Sequence, residues 1–332
     1  MATLGASYVD LIDLYKQQDG KGQFVQIIEI LKEMNPVLDD AIAVECNKGT
    51  THLHTVRAGL PAVTWGKLYQ GIPNDKGRQS QVEDTTGFVE GLSTIDERIL
   101  DLSTNEGAVR LSEAMAYLEA MNQEVSSKIF YGNTASDPEE FMGLAPRFDD
   151  LSAANGNQII DAGGTGSDNA SIWFVGWGDN QTQLLYPKGT QAGVQREDMG
   201  RQRLLDSSSN AYYGKEEKFT WHVGLAVKDW RYVSRVANVD VSDMQAGSVA
   251  LFDFMRKAYW KLQSRRIPGG SLSIYCNRDV MEALDALSTN AGASDSFIRL
   301  KPMEIQGQEV LTYRGIPIRE SDSLLNTEAR VT

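Results

Sequence analysis

The chain holds only two cysteines and three histidines among its 332 residues. Cys46 and Cys276 lie far apart in unrelated contexts and read as buried, reduced thiols rather than a disulfide framework. With His52, His54 and His222 as the whole histidine set, any Ser-His-Asp arrangement has to draw on one of those three. No G-x-S-x-G and no G-x-x-x-x-G-K-[ST] occurs, which removes the nucleophile elbow and the phosphate loop. No apolar run approaches the ~20 residues that a membrane span needs. The opening MATLGASYVDLIDLYKQQ has no basic stretch leading into an apolar one, so no secretory signal is expected. Positive charge is also scarce: 32 Lys and Arg stand against 45 Asp and Glu, a net charge of −13. Wrapping nucleic acid takes cations to neutralise phosphates, so specific DNA or RNA binding is disfavoured. An acidic protein can still sit beside DNA without adhering to it.

What is present is an ordinary folded composition, 41% hydrophobic and 23% charged, in a chain long enough for two domains or one elaborated one. Residues 8–17 and 23–34 carry helical spacing, with Phe24, Ile27, Ile28 and Leu31 on the second stripe. Both are short amphipathic segments whose apolar faces need a partner surface. From Thr51 the pattern turns β-like through THLHTVRAG and VTWGKLYQGI. A polar stretch, PNDKGRQSQVEDTTG, follows, and a further strand is expected over 88–102. The region reads as a long two-stranded excursion. EGAVRLSEAMAYLEAMNQEVSSKIFY, residues 106–131, is the clearest helix, ~39 Å long at ~1.5 Å per residue. Leu111, Met115, Leu118, Asn122, Val125 and Ile129 define its stripe. Segment 171–241 is β by pattern, with an unbroken alternation Phe219, Trp221, Val223, Leu225, Val227. A helix over 246–263 follows, then the strand LSIYC, a helix VMEALDAL capped by Asn277 and Asp279, and two closing strands, QEVLTYR and GIPIRES.

The candidate chemistry is thin. His52 and His54 form an H-x-H, and alternate residues of a strand share a face, so both rings reach one side, with Cys46 six residues upstream. Two ligands without a recognisable third are a weak metal signal, and polar positions on an exposed hairpin are the preferred reading. His222 sits opposite the apolar row of its strand and is expected to face solvent or a neighbouring subunit. The acidic pairs Asp39-Asp40, Glu139-Glu140, Asp149-Asp150 and Glu216-Glu217 read as solvated surface. In SIWFVGWGDNQTQLLYPKG, the pair Gly176 and Gly178 lacks the third glycine of a dinucleotide fingerprint, since Gln181 stands there. A β-hairpin turning at Gly-Asp-Asn is expected instead. Arg256, Lys257, Lys261, Arg265 and Arg266 cluster near the end of the 246–263 helix, where they suit the helix dipole or an acidic surface on another chain. No catalytic set, metal or cofactor site emerges.

The pieces resemble the major capsid proteins of tailed bacteriophages, the Hong Kong 97-type fold. Helix 106–131, ending Ile129-Phe130-Tyr131-Gly132-Asn133 and followed by Phe141-Met142-Gly143-Leu144, looks like the family's spine helix. SLSIYCNRDVMEALDAL resembles the strand, Asn and helix of its axial domain, and YRGIPIRESD its G-x-P strand. The resemblance implies an α+β fold with an N-terminal arm at 1–45 and an extended β-hairpin loop at 46–105. It implies a peripheral domain at 106–245, holding spine helix 106–131 and β segment 171–241, and an axial domain at 246–332. In the common order the G-x-P strand precedes the β segment, whereas here it closes the chain, which points to the permuted variant of some short-tailed phages.

The function so implied is assembly into hexamers and pentamers of an icosahedral head, without catalysis. Phe24 and Ile28 of the arm, Trp65 and Tyr69 of the loop, and Arg256 and Arg265 are the candidate interface residues, with packing inside one subunit the alternative for Trp65 and Tyr69. The implied partners are further copies, scaffolding and portal proteins, a decoration or cement protein, and packaged double-stranded DNA without sequence-specific binding, with no membrane. The implied location is the virion capsid, assembled in the host bacterial cytoplasm. A nanocompartment shell of the encapsulin type and a mixed α/β hydrolase are the alternatives.

Overall fold

The computed structural model describes residues 33–332 apart from 104, 207, 290–299 and 306–307. The helix expected over 8–17 lies outside the described residues, as does nearly all of that over 23–34, with Phe24 and Ile28. The first half of the chain contains helix α1 (Val37–Asp40), strands β1 (Ala43–Glu45), β2 (Thr51–Gly59) and β3 (Arg78–Asp96), and helices α2 (Glu97–Leu102) and α3 (Glu106–Tyr131). Strands β4 (Ile159–Asp161), β5 (Asn169–Trp177), β6 (Thr182–Tyr186), β7 (Val194–Leu205), β8 (Ala211–Val227) and β9 (Val233–Asp240) follow. The rest holds helices α4 (Val241–Gln245), α5 (Leu251–Lys261) and α6 (Arg278–Thr289), with strands β10 (Ser271–Cys276), β11 (Leu300–Ile305), β12 (Gln308–Tyr313) and β13 (Ile316–Glu320). The larger of two compact units takes Met34–Gly87, Ser127–Thr190 and Val223–Thr332; the smaller takes Glu33, Phe88–Ser126 and Gln191–His222.

In the larger unit, β5 is the central strand. Every residue of NASIWFVGW is buried, as an apolar strand covered on both faces must be. It runs antiparallel to β10 on one side and to β9 on the other. β13 pairs parallel with β10, β12 and β11 extend that edge, and β4 pairs parallel with β9. One face of β5 gives Ala170, Ile172 and Phe174 to a core completed by Leu251, Met255, Ala258 and Leu262 of the α5 region and by Val280 and Leu284 of α6. Phe252, Met255, Tyr259 and Leu262 form the packed stripe of this segment, and the helix expected over 246–263 spans Leu251–Lys261. The side-chain oxygen of Asn277 accepts the Val280 N–H at 2.9 Å and caps α6, as expected.

The other face of β5 carries Trp173 against Phe130 and Phe148, with ring centroids 6.3 and 6.1 Å away. Beside it lies a buried ion pair. Arg235 of β9 donates to Glu328 Oε2 at 2.7 Å, with both side chains almost wholly enclosed. The same guanidinium donates to Ser171 Oγ at 3.0 Å and to the Phe148 carbonyl at 2.7 Å, and it stacks over Trp173 at 4.9 Å. Ser171 in turn donates to Glu328, and the Tyr131 hydroxyl donates to Glu328 Oε1 at 2.5 Å. Burial, followed by the negative charge of Glu328, pushes the Tyr131 hydroxyl far above its ordinary range. The chain end beyond Glu328 is fastened by Asn238, whose side chain donates to the Val331 carbonyl at 2.9 Å and accepts its N–H at 2.8 Å. Asn238 adopts a left-handed backbone (φ 58°) that asparagine tolerates better than most residues.

The stretch from Gly176 to Thr182 is not a hairpin. β5 and β6 meet only at Trp177 and Thr182, in parallel sense, and β6 pairs instead with β1 and with the end of β8. The turn hands the chain from one set of strands to the next. Gly176 sits in close packing, where an added Cβ would lie 3.1 Å from the Tyr232 carbonyl and would push the tip of Ile267 aside. Both cysteines are free and buried, and burial raises their thiols, Cys46 to about 11 and Cys276 to about 12.

In the smaller unit, β7 and β8 form a long hairpin, pairing Val194 with Trp221 through Leu205 with Ala211. Phe219 stacks on Tyr117 of α3 at 5.6 Å, with Ala114 and Met121 in the same cluster. Helix α3 spans the residues expected for it, but its stripe does not behave as one face. Val125 and Ile129 are buried, whereas Leu111, Met115 and Leu118 are exposed; Val109, Ala114 and Met121 are the buried positions nearer its start. The expected strand at 88–102 is in fact the end of β3 followed by α2, capped by Asp96. His222 is half-buried against Phe88, 5.7 Å between rings. Glu217 is not solvated surface: it is buried and paired with Arg110 and Arg196. Nor is Asp40 in the larger unit, which accepts from the Tyr275 hydroxyl at 2.7 Å and from Arg319 at 3.0 Å.

Removing one partner of the Arg235–Glu328 pair leaves a buried charge unsatisfied, so Glu328→Ala is expected to cost about 3–5 kcal/mol in denaturant unfolding. Arg235→Met combined with Glu328→Leu is expected to recover most of that loss. A single variant within about 1 kcal/mol of the parent would show that water reaches the pair.

Candidate assembly surfaces

β2 and β3 pair antiparallel from Thr51 with Thr85 to Gly59 with Arg78. Pairing ends there, and VTWGKLYQGI, expected as a strand, contains none. Residues 60–77 form the tip of the excursion. Leu60, Val63, Trp65, Leu68, Tyr69 and Ile72 are all turned out; Trp65 is 97% exposed. No second apolar row exists here for a strand face to pack on, so the alternation in sequence has nothing to enforce it. The tip is closed by Asp75, which accepts the Ala62 N–H at 2.7 Å and the Lys76 N–H at 2.8 Å. Those two backbone donors hold its carboxyl below the ordinary carboxylate range. Six exposed apolar side chains on one loop are a contact surface in search of a cover.

The root of the same hairpin has the opposite character. Arg147, in the turn after α3, donates to Asp84 Oδ1 at 2.7 Å and to the carbonyls of Met142 and Leu225. A Cβ on Gly224 would lie 2.8 Å from the Thr85 carbonyl, and one on Gly87 would lie 2.8 Å from that of Glu139. Glycine at both positions lets the hairpin backbone come against β8 and against the loop after α3. His52 is buried at 7% exposure and His54 is nearly so, its Nδ1 3.6 Å from Asp84 Oδ2. The reading of these histidines as exposed polar positions is therefore overturned, although they do share a strand face. Among the described residues no three His, Cys, Asp or Glu side chains are placed to hold a metal ion. Arg147 on Asp84 and the charge of Lys228 beside His52 also make the place unfavourable for a cation.

Arg256 pairs with Asp253 at 3.0 Å on the exposed side of α5. Arg265 stacks over Trp260 at 4.5 Å and over Tyr259 at 5.5 Å. Trp260 is largely exposed, so this corner presents an aromatic ring and guanidinium groups together, the residue types over-represented at protein interfaces. A shallow cavity of about 530 Å³ adjoins it, lined by Arg265, Arg266, Ile267, Pro268, Leu272 and Ile316. Trp65 and Tyr69 thus sit together on the loop tip, Arg256 and Arg265 sit on or just after α5, and Phe24 and Ile28 fall outside the described residues. Sequence reasoning missed Trp260 and the hairpin root. The register that sets His52 opposite Asp84 was the available signal for the latter.

The fold, an α+β arrangement with a 26-residue helix, a protruding hairpin and a mixed sheet, is that of the Hong Kong 97-type capsid proteins. The family described as Major capsid protein GP7 matches residues 19–332, and the chain belongs to that family. It is similar to a chain in the near-atomic structure of bacteriophage Epsilon15, at 34% identity and a TM-score of 0.79, covering all of both chains. It is also similar in fold to the bacteriophage JBD30 capsid, at 8% identity and a TM-score of 0.50, covering 97% of this chain and 96% of that one. No curated protein matches the chain. No helix among the described residues is long and apolar enough to cross a membrane.

Gly224→Ala is expected to force the hairpin root apart at a cost of about 1–3 kcal/mol, seen as faster protease cleavage within residues 51–87. Gly66→Ala at the tip, where an added Cβ meets nothing within 4 Å, is expected to leave cleavage unchanged. Equal cleavage in both variants would show that the root is not clamped as described.

Proposed function

We infer that this major capsid protein assembles into hexamers and pentamers of an icosahedral head that encloses double-stranded DNA, and that it does so without catalysis. The observation that carries the reading is the hairpin tip, whose apolar side chains have no cover among the described residues while its root is clamped. A projecting loop with a fixed base and a bare apolar end suits a surface that is completed by the next copy. Each copy then adds the same modest contact, and closure of the shell multiplies it. Trp65 and Tyr69 serve as the buried anchors of that contact, and Trp260 with Arg265 as a second, more polar one. Phe24 and Ile28 belong to an N-terminal arm, residues 1–45, that lies on neighbouring subunits. Residues 46–105 act as the extended loop, 106–245 as the peripheral domain and 246–332 as the axial domain, in a permuted strand order with the G-x-P strand last.

The partners that fit are scaffolding and portal proteins, a decoration or cement protein, and packaged DNA that is not bound sequence-specifically. Assembly takes place in the host cytoplasm. A net charge of −13 supports a container whose walls do not adhere to its contents. Nanocompartment and hydrolase readings lose their support once the chain falls in a phage capsid family.

The test is Trp65→Ser with Tyr69→Ser, examined by sedimentation and negative-stain microscopy with scaffold and portal supplied. The expected outcome is a folded, soluble subunit with parental thermal stability and few or no shells. Normal shells from this variant would remove the tip from the interface. A parent that stays monomeric under the same conditions would overturn the assembly reading itself.

A further inference from the structure

The assembly reading gives no part to the two buried imidazoles at the hairpin root. His52 and His54 lie on one face of β2 with ring centroids 6.4 Å apart. Among the described residues neither ring nitrogen of His54, nor Nδ1 of His52, nor Oδ2 of Asp84 has a hydrogen-bond partner. The charged groups facing them come from three further places. Asp84 projects from β3, Arg147 from the turn at 145–147, and Lys228 from just beyond β8. Lys228 donates to the Asp179 main-chain carbonyl at 2.7 Å, and the Asp179 carboxylate lies near enough to act on it. Arg147 already occupies one oxygen of Asp84. Asp84 is thus the carboxylate that acts on the two neutral rings, with Arg147 on it and Asp179 beside Lys228.

Charging those rings adds two cations to a buried site where Arg147 and Lys228 already offset the carboxylates of Asp84 and Asp179. Burial is the largest influence on both, and it holds them below the ordinary histidine range. Lys228 acts in the same direction on both, and Arg147 on His54, while Asp84 opposes. We propose that the His52–His54 pair makes the hairpin root a proton-operated hinge, closed while both imidazoles are neutral and opened when mild acid charges them. Opening frees the β2–β3 ladder from Arg147 and from the backbone approach at Gly224, so the loop swings without the core unfolding.

The sign follows from proton uptake. In the open form the imidazoles regain an ordinary affinity, near pH 6.5, whereas the closed form resists protonation. The closed root is therefore at full stability above about pH 6.5 and loses it as the pH falls through that value. Between pH 7.5 and pH 5.0 the opening constant rises by up to about 30-fold for each imidazole. The inference concerns the hairpin within one chain, so it stands or falls apart from the shell reading.

Hydrogen exchange read by mass spectrometry on the full chain tests it, with rates corrected for the intrinsic effect of pH. The parent is expected to lose protection in residues 51–59 and 78–87 by about tenfold or more on going to pH 5.0, while residues 169–177 stay protected. His52→Gln with His54→Gln is expected to abolish that acid response, and His222→Gln to retain it. Equal protection of the root at both pH values in the parent would overturn the proposal, as would a parental response in the double variant. Should the double variant lose protection at 169–177, the parent's histidine ring resonances decide instead. Titration of His52 and His54 at the ordinary value would overturn the hinge, and titration well below it would uphold it.

Discussion

The larger unit is organised around one buried ion pair, Arg235 with Glu328. Its cost explains its surroundings: two charges removed from water require every lone pair and proton to be met. Ser171, Tyr131 and the Phe148 carbonyl meet them. Those partners come from the central strand, the end of the long helix and the loop that follows that helix, while Glu328 itself lies in the terminal segment. An apolar cluster of the same volume would hold these pieces together about as strongly, but it would accept other registers. The ion pair accepts only the arrangement in which all its donors arrive at once, and that selectivity is its contribution. Trp173 then fills the space between the guanidinium and the Phe130 and Phe148 rings.

The hairpin divides its labour along its length. At the root, two glycines admit close backbone contact and an arginine ties the strand to the chain beyond the long helix. At the tip, pairing stops and apolar side chains are left bare. A root that wandered would make the tip a poor docking element, because the entropy of a loose arm is lost on every contact it makes. A root that never moved would leave the loop no way to change its reach. A clamp built partly from titratable rings satisfies both demands.

Much of this was legible in the residues. Helix α3 was readable to the residue because 26 positions without Pro, bounded by Gly132-Asn133, leave few alternatives. β2 was equally clear. The resemblance to phage capsids was legible too, from Tyr131-Gly132-Asn133, the LSIYC strand with its Asn277 cap, and Gly315-Ile316-Pro317. The failures share a cause: local pattern does not report which partner covers a face. Leu111, Met115 and Leu118 have helical spacing, yet the core turns toward Val109, Ala114 and Met121 instead. The alternation in VTWGKLYQGI met no opposing strand. The Gly176–Gly178 turn looked like a hairpin because the apolar runs on either side are similar, but their pairing partners lie about a hundred residues along the chain for β5, at β10, and about forty for β6, at β8.

The acidic composition carries a related lesson. The net charge of −13 suggested a skin of carboxylates, and acidic pairs were read as solvated. Yet Glu217, Asp84, Asp40 and Glu328 are drawn inside, each facing an arginine, and none of them contributes to an outer negative surface. Arginine is suited to that inward role because its planar fork matches a carboxylate and stays charged when buried. Of the arginines so used, Arg235 is almost wholly enclosed with its acid, whereas Arg196 stays half exposed. Counting charges in a sequence therefore says nothing about which carboxylates form the surface. In this chain the inward ones are structural ties, each set against an arginine.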